Sequence, residues 1–304
     1  MITFTEILIL AAMEKNGRFS GTIRYLSIHS GPYALAYGSA VFALLLIGLG
    51  IEMGWLSLIP FGLLLFLGLA YYILATLWAA HRLYDPTELQ PHRILFDMGQ
   101  LNERSHFTIL DLGLRWQAQD LATLLSTGHA TVIDIYNPRW TPSSTIRRAR
   151  TRTRTSATNA DPRLSWRNSD FRLLPLPDSS TETVIACEIL SRIAQEGDRL
   201  VLLKEIHRVL TPNGRLLIAE RAQTQINWLT FGNLSTPLKS ANDWRHLLVD
   251  AGFRIRREQS LGGLIHCLRG DKPLSTTGQQ LRLDLQLDEG TEAEGKRFPG
   301  GLFS

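Results

Sequence analysis

Asp111 and Asp134 stand about twenty residues apart, each at the end of a run of apolar and β-favouring residues. Phe107-Thr-Ile-Leu-Asp111-Leu-Gly113 meets its acid and then a glycine, and Ala130-Thr-Val-Ile-Asp134-Ile135 repeats the plan. Such a run reads as a buried parallel strand ending at a ligand-binding turn. Residues 118–126 between them read as a helix. The stretch is therefore a βαβ unit, with both acids beside the crevice where open α/β sheets take nucleotide-like ligands. The two cysteines, Cys187 and Cys267, lie in apolar strand-like runs without a CxxC or a His cluster, so neither a disulfide framework nor a metal site is indicated.

The chain upstream places this unit at a membrane. Gly31 to Ile51 and Met53 to Ala80 contain no charged residue, and only Glu52 separates them. Each run has the roughly 20 residues needed to cross a hydrocarbon core. Together they read as a transmembrane helical hairpin over residues 31–83, with Trp55, Tyr71, Tyr72 and Trp78 at interfacial depth. The alternative is a buried hairpin in a soluble fold. Lys15, Arg18, Arg24 and Arg82 flank the hairpin while the turn carries only an acid. The positive-inside rule then puts both termini and the following domain in the cytoplasm, as an integral membrane protein with two spans. Residues 1–30 are compatible with an amphipathic helix on the membrane surface or with one packed on the main domain. The net charge of +4 fits a cytoplasm-facing membrane protein and gives no reason to expect nucleic acid as a partner.

The chain downstream completes the sheet. Residues 85–105 read as a capped helix leading into the first strand. Arg147, Arg148, Arg150, Arg152 and Arg154 fall in residues 141–159. Alternating Thr and Arg does not concentrate charge in one pocket, so this run reads as a solvated helix face plus a loop, rather than a seat for phosphate or anionic lipid. Leu164 to Arg167, Thr183 to Cys187 and Arg215 to Glu220 read as further strands. Residues 198–210 form an amphipathic helix, Thr211-Pro-Asn-Gly214 a turn, and residues 241–251 a helix closed by Gly252. Residues 253–259 and 264–268, joined at Gly262-Gly263, make a final hairpin. From residue 271 the polar composition reads as a disordered tail.

Three segments carry a family likeness. Leu174 to Ile193 is similar, without a gap, to the pattern LPFPDxSFDVVxxxxxLHHI. Leu203 to Glu220, with Thr211-Pro-Asn-Gly214, is similar to LxEixRVLkPGGxlliae. Trp244 to Phe253 is similar to LLxxAGF. Residues 84–270 thus resemble the class I S-adenosylmethionine-dependent methyltransferases, in particular the methyltransferase type 11 group with its quinone- and lipid-modifying members. The resemblance implies a Rossmann-like, seven-stranded, mostly parallel sheet with an antiparallel last strand, and S-adenosyl-L-methionine as cofactor. It implies that Asp134 holds the ribose hydroxyls, with Ile135 beside it, and that Asp170 and Phe171 lie near the adenine. Asp111, Gly113 and Leu114 would form the first turn of the site. A carboxylate suits the ribose because it accepts two hydroxyl hydrogens in a fork that no neutral side chain offers. The family's GxGxG turn here reads Gly113-Leu-Arg115-Trp-Gln117, so Arg115 and Gln117 must bend away or occupy ligand space. Its His pair is replaced by Ser191-Arg192.

Methyl transfer from a sulfonium is an in-line displacement that needs positioning and exclusion of water more than a dedicated base. Where a base is needed, Glu188, just past the fourth strand, is the first candidate, beside the alternative of a structural glutamate. His207, on the amphipathic helix, reads as a packing residue, and His266, inside the last strand, reads as facing core or solvent. The expected function is a membrane-anchored methyltransferase acting on a lipophilic or membrane-adjacent acceptor, a small molecule or lipid. The alternative is a catalytically inactive scaffold with a degenerate glycine-rich loop. A dinucleotide-binding oxidoreductase also uses two acid-tipped strands, but GxGxxG is absent.

Overall fold

The computed structural model describes residues 19–28, 30–85, 90–141, 146–147, 149–151, 161–231 and 239–274. The N-terminal residues 1–18 and the tail from 275 lie outside them, and with them most of the expected surface helix and of the expected disordered tail.

Helix α1 (Ser20–Ile28) leads into α2 (Ser30–Glu52); a short 3-10 turn, Leu56–Leu58, then enters α3 (Ile59–Tyr84). Helices α2 and α3 pack against each other as a hairpin. At Gly62 a Cβ would lie 2.6 Å from the Ile47 side chain, so the bare backbone is what lets the two helices approach. Their remaining surface faces outward: Leu35, Leu45, Phe61 and Leu64 are each about two-thirds exposed or more. A buried hairpin of a soluble fold would hide these side chains. Both helices are long and apolar enough to span a bilayer, and little of either span is covered by protein.

Helix α1 folds back on the base of α3. The Thr22 amide donates to Asp85 Oδ1 at 2.8 Å, the Thr22 hydroxyl to Oδ2, and His81 Nδ1 meets the same carboxylate at 2.7 Å. Asp85 therefore closes α3 instead of starting the next helix. That helix, α4 (Pro91–Met98), begins six residues later than the sequence implied, with proline in its first turn.

The domain then alternates strand and helix: β1 (His106–Asp111), α5 (Trp116–Ala122), β2 (His129–Asp134), β3 (Leu164–Asn168), β4 (Thr181–Cys187), α6 (Glu196–Val209), β5 (Leu210–Arg221), α7 (Gln225–Phe231), α8 (Ala241–Asp250), β6 (Arg254–Leu261) and β7 (Ile265–Asp271). The seven strands form one sheet in the order β3-β2-β1-β4-β5-β7-β6. Strands β1 to β5 are parallel neighbours, and β7 runs antiparallel to both β5 and β6. The fold is thus the expected Rossmann-like sheet with an antiparallel last strand.

Both faces of the sheet are covered, which explains the unbroken apolar strands. Alternate residues serve opposite cores. Leu110, Ile133, Val184, Leu216 and Ile218 pack under α6 and α8. Ile109, Val132, Ile185, Leu217 and Ala219 pack under α4 and α5, together with Ala79 and Leu83 from the end of α3. The second apolar helix therefore runs into the domain core without a linker. Both cysteines are buried on this second face as free thiols, and burial pushes both pKa values up.

Two local readings differ. Residues 211–214, expected as a turn, are a bulge inside β5: the pairing jumps from Thr181–Leu210 to Thr183–Arg215, with Asn213 at φ 62°. Helix α7 was not anticipated; its short polar start carries no clear period.

Candidate functional site

The strand order reverses at β1, between β2 and β4, so the crevice at the carboxyl ends of these strands is where such a sheet takes a ligand. Asp111 and Asp134 end β1 and β2 in register, side by side.

They do different things. Asp111 is 4% exposed and turns back on its own loop, where Oδ2 accepts the Arg115 amide at 3.0 Å. Burial pushes its pKa up to about 6; amide bonds from residues 115, 112 and 114 counter that, and repulsion from Asp134 adds to it. Asp111 shapes the turn. Asp134 points into the crevice. Its Oδ1 accepts the Tyr136 amide at 3.0 Å, which orients the carboxylate. Gly113, at φ 76°, comes so close that a Cβ there would sit 3.0 Å from Asp134 Oδ2.

The two residues replacing glycines leave the crevice clear. Arg115 takes a left-handed φ of 64° and swings away, its guanidinium 4.9 Å from the Trp166 ring centre on β3. Gln117 is buried in α5.

What fills the crevice comes from elsewhere. Residues 146–147 and 149–151 are helical, and Ile146 and Ala149 anchor them in the core. From here Arg150 Nη1 donates to Asp134 Oδ1 and Oδ2, both at 2.7 Å, and to the Leu112 carbonyl at 2.8 Å. Its guanidinium carbon lies 4.3 Å from the Tyr136 ring centre. This corrects the expectation that the arginine run is only a solvated face: Arg147 is exposed, Arg150 is not.

The remaining candidates spread along the crevice. Leu114 is half-buried and its carbonyl accepts the Trp116 amide at 2.8 Å. Ile135 is buried, with its amide on the Asp111 carbonyl at 3.0 Å. Asp170 is exposed after β3, with Oδ1 on the Arg172 amide at 3.0 Å and Oδ2 on the Asn137 amide group at 3.5 Å. Phe171 turns into the core, edge-on to Trp140 at 5.8 Å.

Glu188 closes the far side, beyond β4, in a strained conformation at φ 54°. Its Oε1 accepts the Tyr84 hydroxyl at 2.7 Å, and Oε2 faces Arg192 at 3.5 Å and Arg221 at 4.0 Å. Tyr84, the last residue of α3, also stacks on Tyr25 at 5.8 Å and meets the Trp116 edge at 6.2 Å. The second apolar helix thus ends in the crevice wall. Glu220, fully buried at the end of β5, accepts the Leu190 amide at 2.6 Å and the Ser191 amide at 3.1 Å, and so holds the loop after β4. Burial raises its pKa to about 7.

The two histidines pack. His207 lies 5.2 Å from the Phe253 ring, and His266 faces Glu258 at 3.5 Å.

Sequence reasoning missed Tyr84, Glu220 and Arg150. Tyr84 was hidden at the end of an apolar run that reads as lipid-facing. Glu220 is an acid closing an apolar strand, the same signal that marked Asp111 and Asp134. Nothing local distinguished Arg150 from its neighbours.

The sheet order, the acid-tipped β1 and β2 and the glycine turn between them define a Rossmann-like domain with an antiparallel last strand. Residues 115–218, about a third of the 304, match the family model described as a methyltransferase domain. Among solved structures, a SAM-dependent methyltransferase from Aquifex aeolicus is similar at 18% identity, covering 62% of this chain and 94% of its own, with a TM-score of 0.46. The N-methyltransferase NodS from Bradyrhizobium japonicum WM9, in complex with S-adenosyl-L-homocysteine, is similar at 17% identity, covering 62% and 88%, with a TM-score of 0.43. No curated protein sequence matches the chain.

Proposed function

We propose that the protein is an S-adenosyl-L-methionine-dependent methyltransferase held at a membrane by α2 and α3, acting on a lipophilic or membrane-adjacent acceptor. The observation that carries the reading is the pairing of Asp134 with the bare backbone of Gly113 at the switch point of the sheet. A forked acceptor beside a bare-backbone turn suits the vicinal hydroxyls of a ribose, so the residues fit the cofactor once Arg150 is withdrawn. When bound, that cofactor supplies a sulfonium-activated methyl group.

The chain's own residues would do the rest. Asp134 would accept the ribose hydroxyls, Gly113 and Leu114 would let the ligand approach the backbone, and Ile135 would flank the sugar. Asp170 and, behind it, Phe171 would border the adenine. Asp111 would keep the turn in shape. Tyr84, Trp116 and Tyr25 would exclude water from the acceptor side, where in-line transfer needs a dry, aligned encounter. Glu188 would take a proton from an acceptor that carries one, and Tyr84 and Arg192 would orient it. The hairpin would raise the local concentration of membrane acceptors, with both termini and the domain on the cytoplasmic side.

Calorimetric titration of the detergent-solubilised chain with S-adenosylmethionine tests the cofactor. Heat of binding that is lost in Asp134→Asn is expected; no heat and no thermal shift refute the reading. Resistance of the full chain to alkaline carbonate extraction tests the anchor.

A second reading has one observation in its favour, the Arg150–Asp134 ion pair. It makes the domain a non-catalytic scaffold whose cofactor cradle is filled internally. Binding that is absent from the wild type and appears only in Arg150→Ala would favour it.

A further inference from the structure

The carboxylate that would receive a ribose is already in use. One nitrogen of Arg150 reaches both Asp134 oxygens and the Leu112 carbonyl, so a single donor bridges the acid and the turn. It lies flush on the turn: a Cβ built on Gly113 would fall 1.9 Å from that nitrogen. The guanidinium therefore occupies the space that the glycine leaves open. The arrangement is seated from behind, because Ile146 belongs to the main core and Ala149 is buried. It is also partly shielded, with side-chain exposures of 23% for Arg150 and 13% for Asp134, where a charge-assisted hydrogen bond keeps much of its strength.

A carboxylate has a small number of acceptor positions. At Asp134 the Tyr136 amide takes one and Arg150 engages both oxygens. A diol cannot form its fork while the guanidinium stays.

We propose that Arg150 decides the occupancy of this crevice: it holds the diol seat from within the chain, and an adenosine-bearing ligand binds by displacing it. The inference rests on the proposed cofactor reading and adds a competitor to it. The apparent dissociation constant is then the intrinsic one divided by the fraction of molecules in which the arginine is out. Removing the arginine tightens binding without adding a contact.

The test uses the full chain in detergent micelles, titrated calorimetrically with S-adenosyl-L-homocysteine. Four proteins are compared: wild type, Arg150→Ala, Arg150→Gln and the double variant Arg150→Ala/Asp134→Asn, each with its melting curve. Gln keeps much of the side-chain length over Tyr136 without the charge. Both single variants are expected to bind at least about tenfold more tightly than wild type, and the double variant to lose the gain. Hydrogen exchange on the wild type gives a readout independent of any variant: amides of residues 146–147 and 149–151 should exchange faster when the ligand is saturating. Wild-type binding that neither Arg150 variant exceeds, with exchange at residues 146–147 and 149–151 unchanged or slowed, overturns the proposal and leaves the cofactor reading standing. Absence of binding in all four proteins overturns both.

Discussion

Glu220 offers a test of the domain that does not depend on any ligand. It is fully buried, and its carboxylate accepts the amides of Leu190 and Ser191 at 2.6 and 3.1 Å. Burial, the largest influence, raises its pKa from 4.5 to about 7, against the pull of those amides. A raised carboxyl pKa means that the folded chain holds a proton that the unfolded chain releases. The associated stability is fully present below pH 4.5 and is lost as the pH rises through about 7. Over that interval the loss amounts to about 3 kcal/mol, or roughly 6–12 °C in Tm for a domain of this size. Glu220→Gln keeps an oxygen for the Leu190 amide and cannot ionise. Thermal unfolding of both proteins between pH 4.5 and 8, followed in the same detergent, gives a difference curve in which other groups such as Asp111 cancel. Wild-type stability should fall relative to the variant across this window and level off above it. Curves that stay parallel from pH 4.5 to 8 would refute the reasoning.

Two further substitutions probe the crevice. Tyr84→Phe removes the hydroxyl that donates to Glu188 at 2.7 Å and accepts from Arg221 at 3.3 Å; leaving these partly buried partners one bond short should lower stability by about 1–3 kcal/mol, read as a lower Tm with faster amide exchange at the end of α3. Gly113→Ala forces a methyl group into the guanidinium of Arg150 at a φ of 76°; it should cost about 1–2 kcal/mol in backbone strain alone and abolish binding of S-adenosylhomocysteine, both measurable by a thermal-shift series.

Most of the sheet was legible because its strands are buried on both faces and read as unbroken apolar runs. Phe107–Leu110, Ala130–Ile133 and Val184–Cys187 each fell in the strand expected of them. Gly252 closed its helix and Gly262-Gly263 turned the last hairpin, all three with positive φ, where the residue type announces the backbone. The start of α4 was misread because Asp85, a good cap in isolation, is drawn to Thr22 and His81, more than sixty residues and one turn away respectively. The site was half legible. Asp134 and Gly113 follow from strand ends and turns. The partners that decide their state, Arg150 on one side and Tyr84 on the other, are set by chain folding over distances at which no local pattern survives. Arg115 shows the same limit in reverse: an arginine at a glycine's position looked obstructive, yet the ring of Trp166 gives it somewhere else to go.

The unbroken passage of α3 into the domain has a mechanical consequence. Trp78 is exposed at the lower end of the apolar run, Ala79 and Leu83 are already buried, and Tyr84 touches Glu188. Six residues of helix rise about 9 Å. Under the proposed anchoring, with Trp78 at the water–lipid boundary, the crevice would stand on a short rigid stalk rather than a leash, at a set height above the hydrocarbon. Only molecules that lift their reactive atom to that height would then come within range, so reach, as much as pocket shape, would sort the acceptors.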